Sequence, residues 1–238
     1  MTVKKFIISA IQMDSGDDKE HNLRNVADFI EEAVEKKAKV VALPESMNYI
    51  GNSFECEEIP GYTTNKLSEL AKKHKIYIHG GSILEDNGTK RPYSTTVMID
   101  PNGDIIAKYR QLHMFDVDFS NGYYCRESDI KTRGDQIVVA DTEYGRMGFS
   151  ICYDIRFPEL FRKLTLMGAD IIFAPSDFVV DTGKDHWEPI LRTRAIENTC
   201  YIVAPDQTGV KQSHLAYGKS LIVDPWGNII AKASDKPC

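Results

Sequence analysis

The chain lacks any pattern of paired cysteines. Its five, Cys56, Cys125, Cys152, Cys200 and Cys238, are odd in number and irregularly spaced, without a CxxC pair or an adjacent histidine pattern. Neither a disulfide framework nor a zinc site is indicated, and a reducing compartment is expected. A basic stripe is also missing. With a net charge of -6 the chain has no surface on which to neutralise phosphates, which argues against nucleic acid or an anionic membrane as partner. No apolar run approaches membrane-spanning length, and the opening MTVKKFIISAIQMD is too short and too strand-like for a signal peptide, so a cytoplasmic protein is expected. No low-complexity linker interrupts the 238 residues, and 42% hydrophobic residues suffice for one domain over residues 1–238 with a large core. What remains is chemistry on a small molecule.

The most informative stretch is GRMGFSICYDIRFPEL at 145–160. Phe149 and Ile151 read as a buried strand, Cys152 sits at its carboxyl end, and Pro158 suits the first turn of a following helix. Backbone N–H groups converge at a helix entrance and favour negative charge, so a cysteine there is expected to lean toward thiolate. A small buried hydrophobe is the plainer alternative for such a residue, and the polar neighbours Tyr153, Asp154 and Arg156 weigh against it. Asp154 and Arg156 read as an ion pair that orients the cysteine loop.

Taken in order, FIISAIQM is a strand, residues 22–37 repeat apolar positions at helical spacing, and VVALPES is a strand running into a turn. Residues 63–74 form a second amphipathic helix, and IYIHGGSIL a strand ending beyond two glycines. TTVMID and IIAKYRQ make a hairpin around 101–104, and KSLIVDPWGNIIAKA another around 224–228. The polar segment 114–135 is long for a loop, which in a compact domain often marks function. Then come a strand pair ending at Cys152, a helix, ADIIFAPS, the helix HWEPILRTRAIENT and the strand CYIVAP. Arg194 and Asn198 are an i, i+4 pair on that helix and read as a structural network. Strands alternate with helices, yet tight hairpins exclude a purely parallel sheet. The fold class expected is α/β (α+β), with two mixed sheets face to face and helices outside, a four-layer α-β-β-α sandwich.

Two strand ends carry candidate chemistry. Glu45 follows Pro44 at the end of VVALP, where the proline holds the preceding residue extended and the carboxylate stands beyond a buried strand; a general base and a solvated loop acid are both open readings. Cys152 holds the equivalent place on another strand. Acyl transfer through a thiol needs a base and a donor for the developing oxyanion, the latter expected near the end of IIAKYRQLHMFD.

LPES at 43–46, YRQLHMFD at 109–116, GFSICYDIRFPEL at 148–160 and HWEPILRTRAIENTCYIVAP at 186–205 resemble the nitrilase superfamily of carbon–nitrogen hydrolases, and most closely its Nit and omega-amidase branch. The resemblance runs over nearly the whole chain. It implies a nitrilase-like fold, no cofactor, no metal, a homodimer or higher homo-oligomer, and a Glu-Lys-Cys triad acting on a small amide. The base then falls on Glu45, the nucleophile on Cys152 and a supporting second glutamate on Glu127. The resemblance also implies that Tyr49, Phe115, Phe178 and His186 line the substrate pocket, each equally explained as packing beneath a loop, and Tyr153 and Arg156 stand with them as candidate substrate-binding residues.

One position departs from the pattern. Where the family has Tyr-Arg-Lys-x-His-Leu-Phe-Asp, this chain has Tyr109-Arg110-Gln111-Leu112-His113-Met114-Phe115-Asp116, so Gln111 stands where the ammonium is expected. A neutral donor there makes about half the bond of a charged one. Lys108 would point to the opposite face of the strand, and Lys219, in YGKS, is a cation where the family more often has histidine. A slow amidase and an inactive scaffold that binds a ligand or partner are the two readings. After GNIIAKASDKPC the family usually continues with a further strand and tail, so a missing edge strand is also expected.

Overall fold

The computed structural model describes residues 5–118, 122 and 124–238. Residues 1–4, the start of the first expected strand's flank, and part of the 114–135 segment lie outside the described residues.

The first sheet contains β1 (Ile7–Ala10), β2 (Ala38–Ala42), β3 (Tyr77–His79), β4 (Ile83–Glu85), β5 (Tyr93–Ile99) and β6 (Ile105–Arg110). Its order is β1-β2-β3-β5-β4, with β6 also paired to β5. The segment after it holds the hairpin β7 (Asp116–Asp118) with β8 (Tyr124–Arg126). The second sheet is built from β9 (Val139–Thr142), β10 (Gly145–Phe149), β11 (Ile171–Phe173) and β12 (Tyr201–Ala204); past the small hairpin β13 (Thr208–Val210) and β14 (Leu215–Tyr217) it is completed by β15 (Leu221–Val223) and β16 (Ile229–Lys232). Its order is β16-β15-β12-β11-β10-β9. Both sheets are mixed: β1 to β3 and β10 to β12 run parallel, while the hairpin strands run antiparallel.

Helices α1 (Lys19–Glu35) and α2 (Tyr62–His74) cover the first sheet; the single turn α3 (Glu127–Ile130) follows β8, and α4 (Pro158–Leu166), the short α5 (Val180–Thr182) and α6 (Glu188–Asn198) belong to the second half. The α1 helix starts before the expected residue 22, because the Asp18 side chain caps it by accepting from the His21 N–H at 2.9 Å.

The strand period of two explains the layers. On β2, Val41 packs with Val26, Ile30, Leu67 and Ala71 of the helices, whereas Val40 and Ala42 face the other sheet. On β11, Ile172 meets Phe161, Leu164, Leu191 and Ala195, while Ile171 and Phe173 point inward. Between the sheets His79 stacks on Phe173 and Phe149, with centroids 4.5 and 5.8 Å away. Burial there drives its pKa down to about 3, so it is a neutral ring at any ordinary pH. These three cores make the α-β-β-α sandwich expected from sequence. Both hairpin turns are present, with Gly103 and Gly227 at positive φ. The Arg194 network is also as expected: Asn198 donates to the Arg194 carbonyl, and Arg194 reaches Glu197 and the Ile155 carbonyl.

Candidate active site

Cys152 and Glu45 reach one cavity from opposite sheets. The chain leaves β10 and enters a 3-10 turn, Cys152–Arg156, in which Cys152 itself has φ +46, a left-handed conformation that non-glycine residues rarely adopt. Its N–H donates to the Pro175 carbonyl at 2.8 Å, which holds the strained residue in place. The turn is tied down by Asp154, fully buried. One of its oxygens accepts from Tyr109 Oη at 2.6 Å and the Ile151 N–H at 2.9 Å; the other faces His113 Nδ1 at 2.6 Å and accepts its N–H at 3.1 Å. Asp154 therefore does not pair with Arg156, as the sequence had suggested. Arg156 instead faces His186 and lies over the rings of Tyr153 and Phe178.

Glu45 lies beyond β2. Its carbonyl accepts from Gln207 Nε2 at 2.8 Å, and its Oε2 from the Asp177 N–H at 2.8 Å. The preceding Pro44 is fixed by contact: a Cβ at Gly81, which has φ +60, would lie 2.0 Å from the Pro44 carbonyl oxygen. Gly81→Ala should accordingly lower the melting temperature by about 4–8 °C, equivalent to about 2 kcal/mol, with activity falling as Glu45 shifts; thermal denaturation by circular dichroism measures it.

The cavity holds about 240 Å³ and is lined by Glu45, Cys152, Glu127 and Lys131 at its polar end and by Phe115, Tyr153, Arg156 and Phe178 among others. Asp177 and His214 also line it, joined at 2.9 Å. Glu45 and Cys152 share this lining and interact electrostatically. Burial, followed by the negative charges of Glu127 and Asp177 and against the pull of Lys131, raises the Glu45 carboxyl to about 7. Burial, with Glu45 beside it, pushes the Cys152 thiol well up. The expected thiolate bias is thus overturned: the turn entrance offers favourable backbone polarity, but removal from water next to a carboxylate outweighs it.

Lys131 was missed from the sequence. It follows α3, its side chain is 12% exposed, and its Nζ donates to Glu127 Oε1 at 2.6 Å. Burial lowers its pKa, but the charges of Glu127 and Glu45 more than offset that, so the ammonium is held. The signal was present as Glu127 and Lys131 at i, i+4, the favourable order for a helical ion pair. Glu127 is placed by a second bond, its Oε2 accepting the Phe115 N–H at 2.7 Å.

Three expected residues are elsewhere. Gln111 is buried and does not line the cavity; its Nε2 turns back to the His113 carbonyl at 2.9 Å. Tyr49 is outside the lining too, because its Oη reaches back to Ser53 Oγ at 3.0 Å, and Ser46 and Ile50 take the corresponding wall. Lys219 pairs with Asp235, away from the cavity. Lys108 bonds Glu85, on the face opposite residue 111 as expected.

The carbon–nitrogen hydrolase model matches residues 7–237. The chain belongs to the carbon–nitrogen hydrolase family. Among its relatives, deaminated glutathione amidase of Synechocystis sp. (strain PCC 6803 / GT-S) is 38% identical over 99% of this chain and 90% of its own length. Omega-amidase NIT2 of Homo sapiens is 40% identical over 96% of this chain and 84% of its own. Among solved structures, Saccharomyces cerevisiae Nit3, described as a member of branch 10 of the nitrilase superfamily, superposes with a TM-score of 0.86 at 34% identity, covering 97% of this chain and 86% of that one. The C. elegans NitFhit protein gives 0.90 at 37% identity, covering 99% of this chain and 60% of the longer protein. The nitrilase-superfamily resemblance read from the motifs is therefore the family of the chain, a hydrolase of carbon–nitrogen bonds, and its fold is theirs. Among the described residues, no helix is long and apolar enough to cross a membrane.

Proposed function

We propose that the protein hydrolyses a small carboxamide through a thioester on Cys152, with Glu45 as the base, and that its substrate is the ω-amide of an α-keto acid or a related carboxylate-bearing amide. The observation that carries this reading is that Glu45 and Cys152, from opposite sheets, line one cavity together with Glu127 and Lys131. The thiol is neutral at rest, so the proton must leave as the bond forms: Sγ attacks the carbonyl carbon, the C=O pair moves onto oxygen, and the thiol proton passes to Glu45. Collapse of the tetrahedral species breaks the C–N bond, and the amine departs with the proton from Glu45. Water then gives a proton to Glu45 and its oxygen to the thioester carbon, the C–S bond breaks, and the proton returns to sulfur.

Arg156 supports the carboxylate end. Its guanidinium lies on the lining beside the apolar rings of Tyr153 and Phe178, where a planar fork suits a carboxylate. The names of the relatives, omega-amidase and deaminated glutathione amidase, point the same way. The inactive-scaffold reading rested on the missing ammonium at Gln111; an ammonium in the cavity removes its ground. Five unpaired cysteines suit a cytoplasmic setting, and a homodimer is the assembly this reading includes, measurable by analytical ultracentrifugation.

The test is a panel of small amides with ammonia detection, together with mass spectrometry for an acyl adduct on the peptide containing Cys152. Turnover without that adduct under rapid quench would remove the thioester. Glu127→Gln should lower kcat by about tenfold, less than the loss at Glu45, since the amide keeps an acceptor for Phe115 but not the charge that orients Lys131. Steady-state kinetics on both variants decides it; the reverse ranking would exchange the two roles.

A further inference from the structure

We propose that Lys131 supplies the ammonium that the family places at the position of Gln111, so that this chain has moved the cation of its triad to another segment of the polypeptide. The inference rests on the Cys152 nucleophile reading above and names the group that receives the oxyanion. Lys131 shares the cavity lining with Glu45 and Cys152, and Gln111 does not. The Gln111 amide donates to the His113 carbonyl, and its buried Oε1 has no hydrogen-bond partner among the described residues, so the side chain is turned away from the cavity.

The two positions are neighbours in space, which makes the exchange geometrically reasonable. Gly134 N–H donates to the Gln111 carbonyl at 2.7 Å, and Thr132 N–H to the Pro92 carbonyl at 2.8 Å, so the segment 132–134 is tied to the start of β5 and, at Gly134, to the end of β6. The approach is close enough that a Cβ at Gly134 would lie 2.4 Å from the Arg110 carbonyl oxygen. From this strap Lys131 reaches the cavity lined by Glu45 and Cys152. Neither of the other candidate cations does this: Lys219 pairs with Asp235, and Lys108 with Glu85.

An ammonium carries three donors. One goes to Glu127, which orients the group, and the ammonium lines the cavity together with Cys152. When Sγ forms its bond to the carbonyl carbon and the π pair moves onto oxygen, Lys131 donates to that oxygen and keeps its proton; the thiol proton is on Glu45. As the pair returns and C–N breaks, the bond to Lys131 weakens again. A donor that strengthens only in the transition state acts on kcat and leaves KM nearly unchanged.

The test compares Lys131→Met, Lys131→Arg and the double variant Lys131→Met with Gln111→Lys, each checked for folding by thermal denaturation, with ammonia release as the rate. Lys131→Met should lower kcat by about 10²- to 10³-fold, the scale of a lost oxyanion donor, with KM within about threefold. Adding Gln111→Lys should recover at least tenfold of the loss. A kcat for Lys131→Met within threefold of the parent overturns the proposal, and so does a double variant as slow as the single one, which would leave Lys131 as a strut for Glu127. If Lys131→Met fails to fold, Lys131→Arg decides: it keeps the charge and the Glu127 pair but displaces the donor, so a kcat lowered at least tenfold at parental melting temperature supports the proposal and an unchanged kcat overturns it. Failure of the nucleophile reading shows separately, as activity surviving in Cys152→Ala.

Discussion

Cys152→Ala should abolish ammonia release from every amide the parent accepts, with a fall in kcat on the order of 10⁶-fold, because nucleophile, base and donor act as one unit and fail together. The fold should survive. Only sulfur is removed, the backbone N–H still donates to Pro175, and the Asp154 bonds that shape the turn involve other residues. A melting temperature within about 4 °C of the parent, corresponding to about 1 kcal/mol for a chain of this size, together with loss of the acyl adduct, is the expected pair of results. Parental turnover in the variant would remove Cys152 from the mechanism. Alkylation gives a complementary measurement. Since the thiol is held protonated by burial and by Glu45, its labelling should accelerate as pH rises and should not show the low-pH reactivity of an activated thiolate.

Glu45→Gln should cost about 10²- to 10⁴-fold in kcat, the range for a positioned general base. Its pH signature is as informative as its size. The carboxyl titrates at about 7 in the folded chain, and only the carboxylate accepts the thiol proton, so kcat/KM of the parent should climb with pH through about 7. The residual activity of Glu45→Gln should lack that limb. The same residue acts on stability in the opposite direction. Its folded pKa lies above the ordinary 4.5, so the folded state binds the proton more tightly than the unfolded one. That contribution is complete below about pH 4.5 and is lost as pH rises through 7. Glu45→Gln, neutral throughout, should therefore melt higher than the parent at pH 8 and close to it at pH 4.5. A lower melting temperature at pH 8 would mean that the carboxylate is needed to neutralise Lys131 more than it suffers from burial.

Much of this was legible because it is local. The hairpin turns announce themselves in PNGD and DPWGN, the strand alternation around Val40–Ala42 sorts one sheet's faces, and the cysteine motif carries its strand and turn with it. Glu45, Glu127 and Cys152, chosen from motif and resemblance, all come to one cavity. The rest depends on partners far apart in the chain. Asp154 lies two residues from Arg156 but binds Tyr109 and His113, because in a tight turn neighbouring side chains diverge. Lys131 sits in a polar segment whose charge pattern suits a solvated turn equally well, and only the lacing to Gln111 and Pro92 shows which way it is carried. The thiol's pKa failed for a related reason: backbone polarity at a turn can be read locally, whereas burial cannot.

The stack of His79 between the sheets gives the site a mechanical character. Glu45 rides just beyond β2 and Cys152 just beyond β10, so the proposed base and nucleophile belong to different plates, and the aromatic layer of His79, Phe149 and Phe173 lies between them. Proton transfer tolerates little slippage, since about 1 Å of misplacement can cost 10²-fold. Turnover is then a gauge of interplate alignment, sensitive to substitutions in that layer which touch no substrate and leave every side chain of the cavity intact.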